Sequence, residues 1–151
     1  MNNKTILTLD LGSKTGWAVR INGKVASGTN TFLPSRFEGG GMRFVRFSGW
    51  LEGMKKNVNP DIIYFEEVRS HVGTTAAHVY GGFLAHLTAW AEQNKIPYQG
   101  VPVGTIKQHA TGKGNAGKPA MIAAMVAKGH APKDDNEADA LAILHWAIAQ
   151  V

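Results

Sequence analysis

The sequence predicts an α/β domain whose five-stranded mixed sheet, antiparallel at one edge and parallel beyond, is covered by helices. Three observations predict it. The first 32 residues hold three short strand-like runs separated by turn residues. The remainder alternates helical and strand periods. The chain of 151 residues has no linker, internal repeat or low-complexity tract, which is the size and texture of one domain spanning 1–151.

The elements follow in order. The run TILTLDL (5–11) is β-branched and Leu-rich and ends at an Asp before Gly12, as a buried strand entering a turn does. GWAVRI (16–21) and KVASGTNTF (24–32) flank Asn22-Gly23, a strong hairpin signal, so the chain opens as an antiparallel meander. After a Gly-rich entry, Met42, Phe44, Val45, Phe47, Trp50, Leu51 and Met54 recur at helical spacing, and this helix ends before Pro60. DIIYFEEV (61–68) is a fourth strand, again ending in carboxylates. A helical period runs from Thr74 to Asn94, with Gly81-Gly82 as a weak or close-packed point. IPYQGVP (96–102) is a fifth short strand, VGTIKQHATG (103–112) one or two helical turns, KPAMIAAMVAKG (118–129) a helix closed by Gly129, and DDNEADALAILHWAIAQ (134–150) the last helix.

Composition excludes several classes. With 44% hydrophobic and 18% charged residues, no apolar run approaches the roughly 20 residues that span a bilayer. The start, MNNK into TILTLDLG, lacks a signal-peptide or transit pattern, so the protein is expected to stay in the cytoplasm. The absence of cysteine removes disulfides, thiolate zinc sites and thiol nucleophiles. A net charge of +5 favours a polyanionic partner, because Lys and Arg release counterions when they neutralise phosphates.

GKGNAGKP (112–119) has the outline of a nucleotide-binding loop, but Pro119 stands where that loop needs Ser or Thr, and no apolar strand precedes it. Pro119 suits the first position of a helix. Gly112, Gly114 and Gly117 then form a basic approach to it, along which Lys107, Lys113 and Lys118 can meet phosphates, the alternative being a solvated surface loop. Carboxylates collect where chains converge in such sheets: Asp10 ends strand one, Glu66 and Glu67 end strand four, and Asp135, Glu137 and Asp139 open the last helix. If strand four returns beside strand one, Asp10 meets Glu66 or Glu67, and such a cluster repels itself unless a cation joins it. Asp135 and Asp139, or Asn136 and Asp139, share one helical face. Oxygen ligands suit Mg²⁺ or Mn²⁺, and two such ions can activate a water and stabilise the leaving oxygen of a phosphodiester. Asp135 and Glu137 are also what the helix dipole favours in a first turn. Asp139 differs, because its neighbours Ala140, Leu141, Ile143 and Leu144 look buried and a carboxylate among them needs a reason.

LTLDLGSKTGWAV, IIYFEEV, IKQHATGKGNAGK and DDNEADALAIL, in this order and spacing, resemble the RuvC family of Holliday-junction resolvases, which have an RNase H-like fold. The resemblance covers nearly the whole chain and is closest to the small RuvC-like proteins of bacteriophages and prophages. It implies a homodimeric nuclease, acting in a bacterial or phage-infected cell, that cuts four-way DNA junctions symmetrically with two divalent ions. The metal-binding positions fall on Asp10, Glu66 and Asp139, and the fourth on Asn136, where an acid is usual and some members carry His. Either Asp135 supplies that carboxylate or the site works with three acids and an amide. The family's phosphate-contacting lysines fall on Lys107 and Lys118. After the strand-four Glu, where the family tends to place a junction-stacking aromatic, this chain offers Arg69 and His71. The 74–94 helix, with Tyr80, Phe83, Leu84, Leu87 and Trp90, is the candidate dimer face unless that stripe is internal core. Three other functions compete. DLGSKTG also resembles the phosphate turn of actin- and sugar-kinase-like ATPases, which need two such domains. A branched-DNA-binding module without catalysis and an RNase H-type hybrid nuclease share the fold.

Overall fold

The computed structural model describes residues 3–150. They form β1 (Ile6–Asp10), β2 (Lys14–Ile21), β3 (Lys24–Thr31), α1 (Met42–Asn57), β4 (Ile62–Glu67), α2 (Thr74–Gln93), β5 (Tyr98–Pro102), α3 (Val103–Thr111), α4 (Lys118–Ala127) and α5 (Asp135–Ala149). The five strands make one sheet in the order β3-β2-β1-β4-β5. β1 to β3 pair antiparallel, and β4 and β5 continue parallel to β1, as expected from the sequence. The hairpin turn sits at Asn22-Gly23, both with positive φ, the conformation that makes this dipeptide favoured there.

Side chains alternate across the sheet and divide the core in two. Leu7 and Leu9 of β1, Ile63 and Phe65 of β4 pack with Phe47, Leu51, Phe83 and Leu87 of α1 and α2. On the opposite face, Ile6, Tyr64 and Val101 pack with Ile106, Met121, Met125 and the fully buried Leu141, Ile143 and Leu144 of α3 to α5. Helix α5 lies across the centre of that face. Its Ala140 carbonyl accepts a hydrogen bond from the buried Thr8 hydroxyl at 2.7 Å, which ties β1 to the helix at one register.

Two readings left open by the sequence are decided here. The stripe Tyr80, Phe83, Leu87 and Trp90 is not available as a dimer face: all four are buried within the chain's own core, with Leu84 half-buried beside them. Helical periodicity marks an apolar face and does not say what covers it. Of the Gly81-Gly82 pair, only Gly82 is a close-packed point, with the Phe44 ring 2.3 Å from where its Cβ would stand. Gly81 faces open space. No helix among the described residues is long and apolar enough to cross a membrane.

Candidate metal centre and phosphate-binding surface

The central parallel pair places two carboxylates side by side. Leu9 of β1 lies opposite Phe65 of β4, so the next residues, Asp10 and Glu66, end adjacent strands on the same face. That is the face with Thr8 and Tyr64, the one α5 covers. Glu67, one residue on, turns to the other side, where its carboxylate accepts from Arg69 Nε at 3.0 Å. The choice between the two glutamates is therefore made by the pleat: Glu66 enters the site and Glu67 does not.

Asp139 completes the group from the second turn of α5. Ligand atoms of Asp10, Glu66 and Asp139 all lie within 4.8 Å of one another, and each residue is half-buried. Burial and mutual repulsion act in the same direction on all three. Asp10 is pushed well above the usual carboxylate range, first by burial, then by Glu66 and Asp139. Glu66 is raised to about 7 by burial and Asp139, against an opposing pull from Lys107. Asp139 is raised to about 6 by burial and then Asp135, opposed by Lys107 and Lys118. Carboxylates so placed hold protons that a cation would displace, and a donor set of oxygen alone fits a hard divalent ion.

Beside the cluster opens a cavity of about 130 Å³, lined by Glu66, Asp139, Lys107, Lys118, Val103 and Gly117 among others. Lys107 comes from the second turn of α3 and Lys118 from the first residue of α4. The glycine-rich connection between these helices is held in shape. Gly112 takes the left-handed cap of α3 at φ 84°, Ala116 is buried, and Thr111 Oγ1 accepts from Lys113 N at 3.1 Å. Pro119 stands in the first turn of α4. No strand launches this loop, consistent with rejecting the nucleotide-loop reading.

The remaining expected residues are more dispersed. The Asp135 carboxylate is not one of the three clustered groups; it pairs with Lys118 at 3.4 Å and adds negative charge near Asp10 and Asp139. Asn136 is half-buried, its backbone pressed against β2 at Gly16. Lys113 is exposed on the α3–α4 loop, outside the cavity lining. Arg69 is exposed on the loop after β4, and the His71 ring rests 4.9 Å from that of Tyr80.

Sequence reasoning missed two supporting groups. Tyr80 reaches back from α2: its hydroxyl donates to the Glu66 carbonyl at 2.8 Å and accepts from Val68 N at 3.2 Å, bracing the strand end that carries Glu66. Asp134 caps α5, accepting from Glu137 N at 2.8 Å and from the Thr29 hydroxyl at 2.7 Å. Glu137 in turn accepts from Lys133 N and from Ser27 Oγ, so the start of α5 is tied to β3. The spacing Asp-x-x-Glu was the available signal, since an acidic or hydroxyl cap followed three residues on by Glu marks a helix start.

The sheet order and the carboxylates at the ends of its two central strands define an α/β fold of the RNase H-like class, as the resemblance implied. More narrowly, the chain has the fold of the RuvC Holliday-junction resolvases over most of its length. Thermus thermophilus RuvC in complex with Holliday junction substrate superposes with a TM-score of 0.78 at 22% identity, covering 93% of this chain and 90% of that one. Another structure of T. thermophilus RuvC gives 0.73 at 21% identity, over 92% and 90% of the two chains. The yeast mitochondrial Holliday junction resolvase gives 0.63 at 14% identity, over 93% of this chain and 76% of that one. No protein-family model and no curated protein matches the sequence.

Proposed function

We propose that the protein is a metal-dependent endodeoxyribonuclease that resolves four-way DNA junctions. The observation that carries this is the convergence of Asp10, Glu66 and Asp139 beside a cavity that also presents Lys107 and Lys118. Such a pairing of clustered acids with amines suits a phosphodiester: the acids need a cation and the amines need an anion. The RuvC-type fold, whose solved relatives include one bound to a Holliday junction, supports the choice of branched DNA.

In this reading Asp10, Glu66 and Asp139 hold Mg²⁺ or Mn²⁺, with Asn136 or Asp135 as the nearest candidates to complete the set for a second ion. When bound, such ions supply an activated water and stabilise the leaving oxygen. The chain's own groups do the rest. Lys107 and Lys118 neutralise the phosphate, and Asp135 orients the Lys118 ammonium from the first turn of α5. Tyr80 holds the Glu66 backbone in register. Lys113, Arg69 and His71, on exposed loops, provide contacts to the DNA flanking the cut.

Paired cuts across a junction call for two copies related by a two-fold axis. With the large apolar residues of α2 internal, the homodimer would use other surface, for which the exposed Ala77, Gly81 and Ala85 of the same helix are available.

The test is incubation of the purified protein with a synthetic four-way junction and a matched linear duplex, in Mg²⁺, Mn²⁺ or EDTA, with Glu66→Gln alongside. Paired nicks on the junction alone, dependent on metal and on Glu66, are expected. Tight junction binding without cutting in either metal would instead make this a branched-DNA-binding module.

A further inference from the structure

On the same face of the sheet, but away from the acids, two imidazoles meet. His130 Nε2 and His145 Nε2 are 2.7 Å apart, with ring centroids 5.0 Å apart. His145 lies six residues beyond Asp139 on α5, about 9 Å along the helix axis, so this pair is separate from the carboxylate cavity.

The position of His130 is set by the end of α4. Gly129, at φ 94°, donates its N–H to the Val126 carbonyl, and the His130 N–H donates to the Met125 carbonyl. These are the two hydrogen bonds of a Schellman closure, which leaves the backbone at His130 no freedom to wander. His145 is held by the packed middle of α5, between the buried Leu144 and Ala147. The charge of His109, in the last turn of α3, also acts on His145, but among the described residues these three imidazoles do not gather within ligand distance of one another.

We propose that His130 and His145 form a two-imidazole binding site for a borderline divalent transition metal ion, of which Zn²⁺ is the representative, with water completing the coordination. Imidazole nitrogen is the donor such ions select, whereas Mg²⁺ prefers the carboxylates. An ion bound at about 2.0–2.1 Å from each nitrogen in tetrahedral geometry needs them roughly 3.4 Å apart. The pair therefore has to open by less than about 1 Å, which small side-chain rotations supply. Metal binding requires the unprotonated ring. Burial first, then the charges of His130, Lys128 and His109, push His145 down to about 4, so it is neutral throughout the physiological range. Lys128, whose charge opposes a cation beside His145, is exposed and able to turn into solvent. An ion here would clamp the α4–α5 connection, which leads directly into the Asp134 cap and the metal-facing turn of α5. The site does not depend on the nuclease reading.

The test uses untagged protein titrated with Zn²⁺ in excess Mg²⁺, followed calorimetrically for wild type, His130→Ala, His145→Ala and Asp139→Asn. Loss of an outer-shell partner of a metal ligand typically costs about 10–100-fold in affinity, so loss of a ligand is expected to weaken binding at least about tenfold. Wild type and Asp139→Asn are expected to bind one equivalent alike, and both histidine variants to lose it. Equal binding by the histidine variants, absence of binding in wild type, or loss in Asp139→Asn alone overturns the proposal, the first two leaving a merely hydrogen-bonded imidazole pair. Should a histidine variant not fold, nitrogen-15 spectra of the wild-type imidazoles decide: His130 and His145 must shift with added Zn²⁺, and unchanged resonances overturn the site.

Discussion

Gly16 of β2 lies directly beneath the peptide of Asn136: a methyl group on its α carbon would stand 1.9 Å from the Asn136 carbonyl oxygen and 2.4 Å from the carbonyl carbon. This contact lets the first turn of α5 settle onto the sheet, and so brings Asp139 to Asp10 and Glu66. Backbone cannot swing aside as a flexible side chain can. We expect Gly16→Ala to destabilise the fold by about 1–3 kcal/mol, as overpacking of a core does, and to weaken divalent binding by lifting Asp139. Urea unfolding and Mn²⁺ titration measure both. Gly39→Ala, in open space, serves as the control and should unfold with wild type.

The metal-free protein should lose stability through the carboxylate cluster as pH rises. Glu66 and Asp139 bind protons more tightly folded, at about 7 and about 6, than at their ordinary values of 4.5 and 3.8. The folded state therefore holds more protons than the unfolded one between those limits, and by linkage its stability falls with rising pH across about pH 4 to 7. In EDTA, thermal unfolding of wild type should decline over this window relative to Glu66→Gln, and added Mg²⁺ should restore it above pH 7. Parallel curves for the two proteins would show that Glu66 does not sit in a strained cluster.

Lys107 lowers both Glu66 and Asp139 by its positive charge. Removing it in Lys107→Met should let both rise further, so that the acid limb of the cleavage profile moves to higher pH. A uniform loss of rate with an unmoved profile would assign Lys107 to the phosphate alone.

Tyr80→Phe deletes one hydroxyl and keeps the ring in the core. The loss of its bonds to Glu66 and Val68 should cost about 0.5–1.5 kcal/mol in urea unfolding. Junction cleavage should fall more than junction binding, because the strand end holding Glu66 is loosened while Lys107, Lys113 and Lys118 on the α3–α4 side are untouched.

Much of this arrangement was legible beforehand because its signals are local. The Asn22-Gly23 turn, the strand runs ending at Asp10 and Glu66, and the helix bearing Asp139 each declare themselves within a few residues. The lysines framing the glycine-rich segment were legible for the same reason, as was the misfit of Pro119 with a nucleotide loop. The Asp134 cap was also within reach through its partner three residues on, but Asp135 and Glu137 were weighed only as metal-site carboxylates or as acids favoured by the helix dipole.

What the sequence by itself determined was the order and type of the elements and the residue types offered at their ends, since propensity, turn chemistry and periodicity act over one turn or one hairpin. The residue pattern by itself left Glu66 and Glu67 open, and the family resemblance pointed to Glu66; the tertiary structure supplies the physical reason, because strand alternation has two phases and the covering helix selects the one that turns Glu66 toward α5. Only the tertiary structure decided that Tyr80, Phe83, Leu87 and Trp90 are core, and that Asp135 pairs with Lys118 while Asp139 joins the cluster. The meeting of His130 with His145 belongs there too, since it depends on where the end of one helix closes against the middle of another, far beyond the reach of any local pattern.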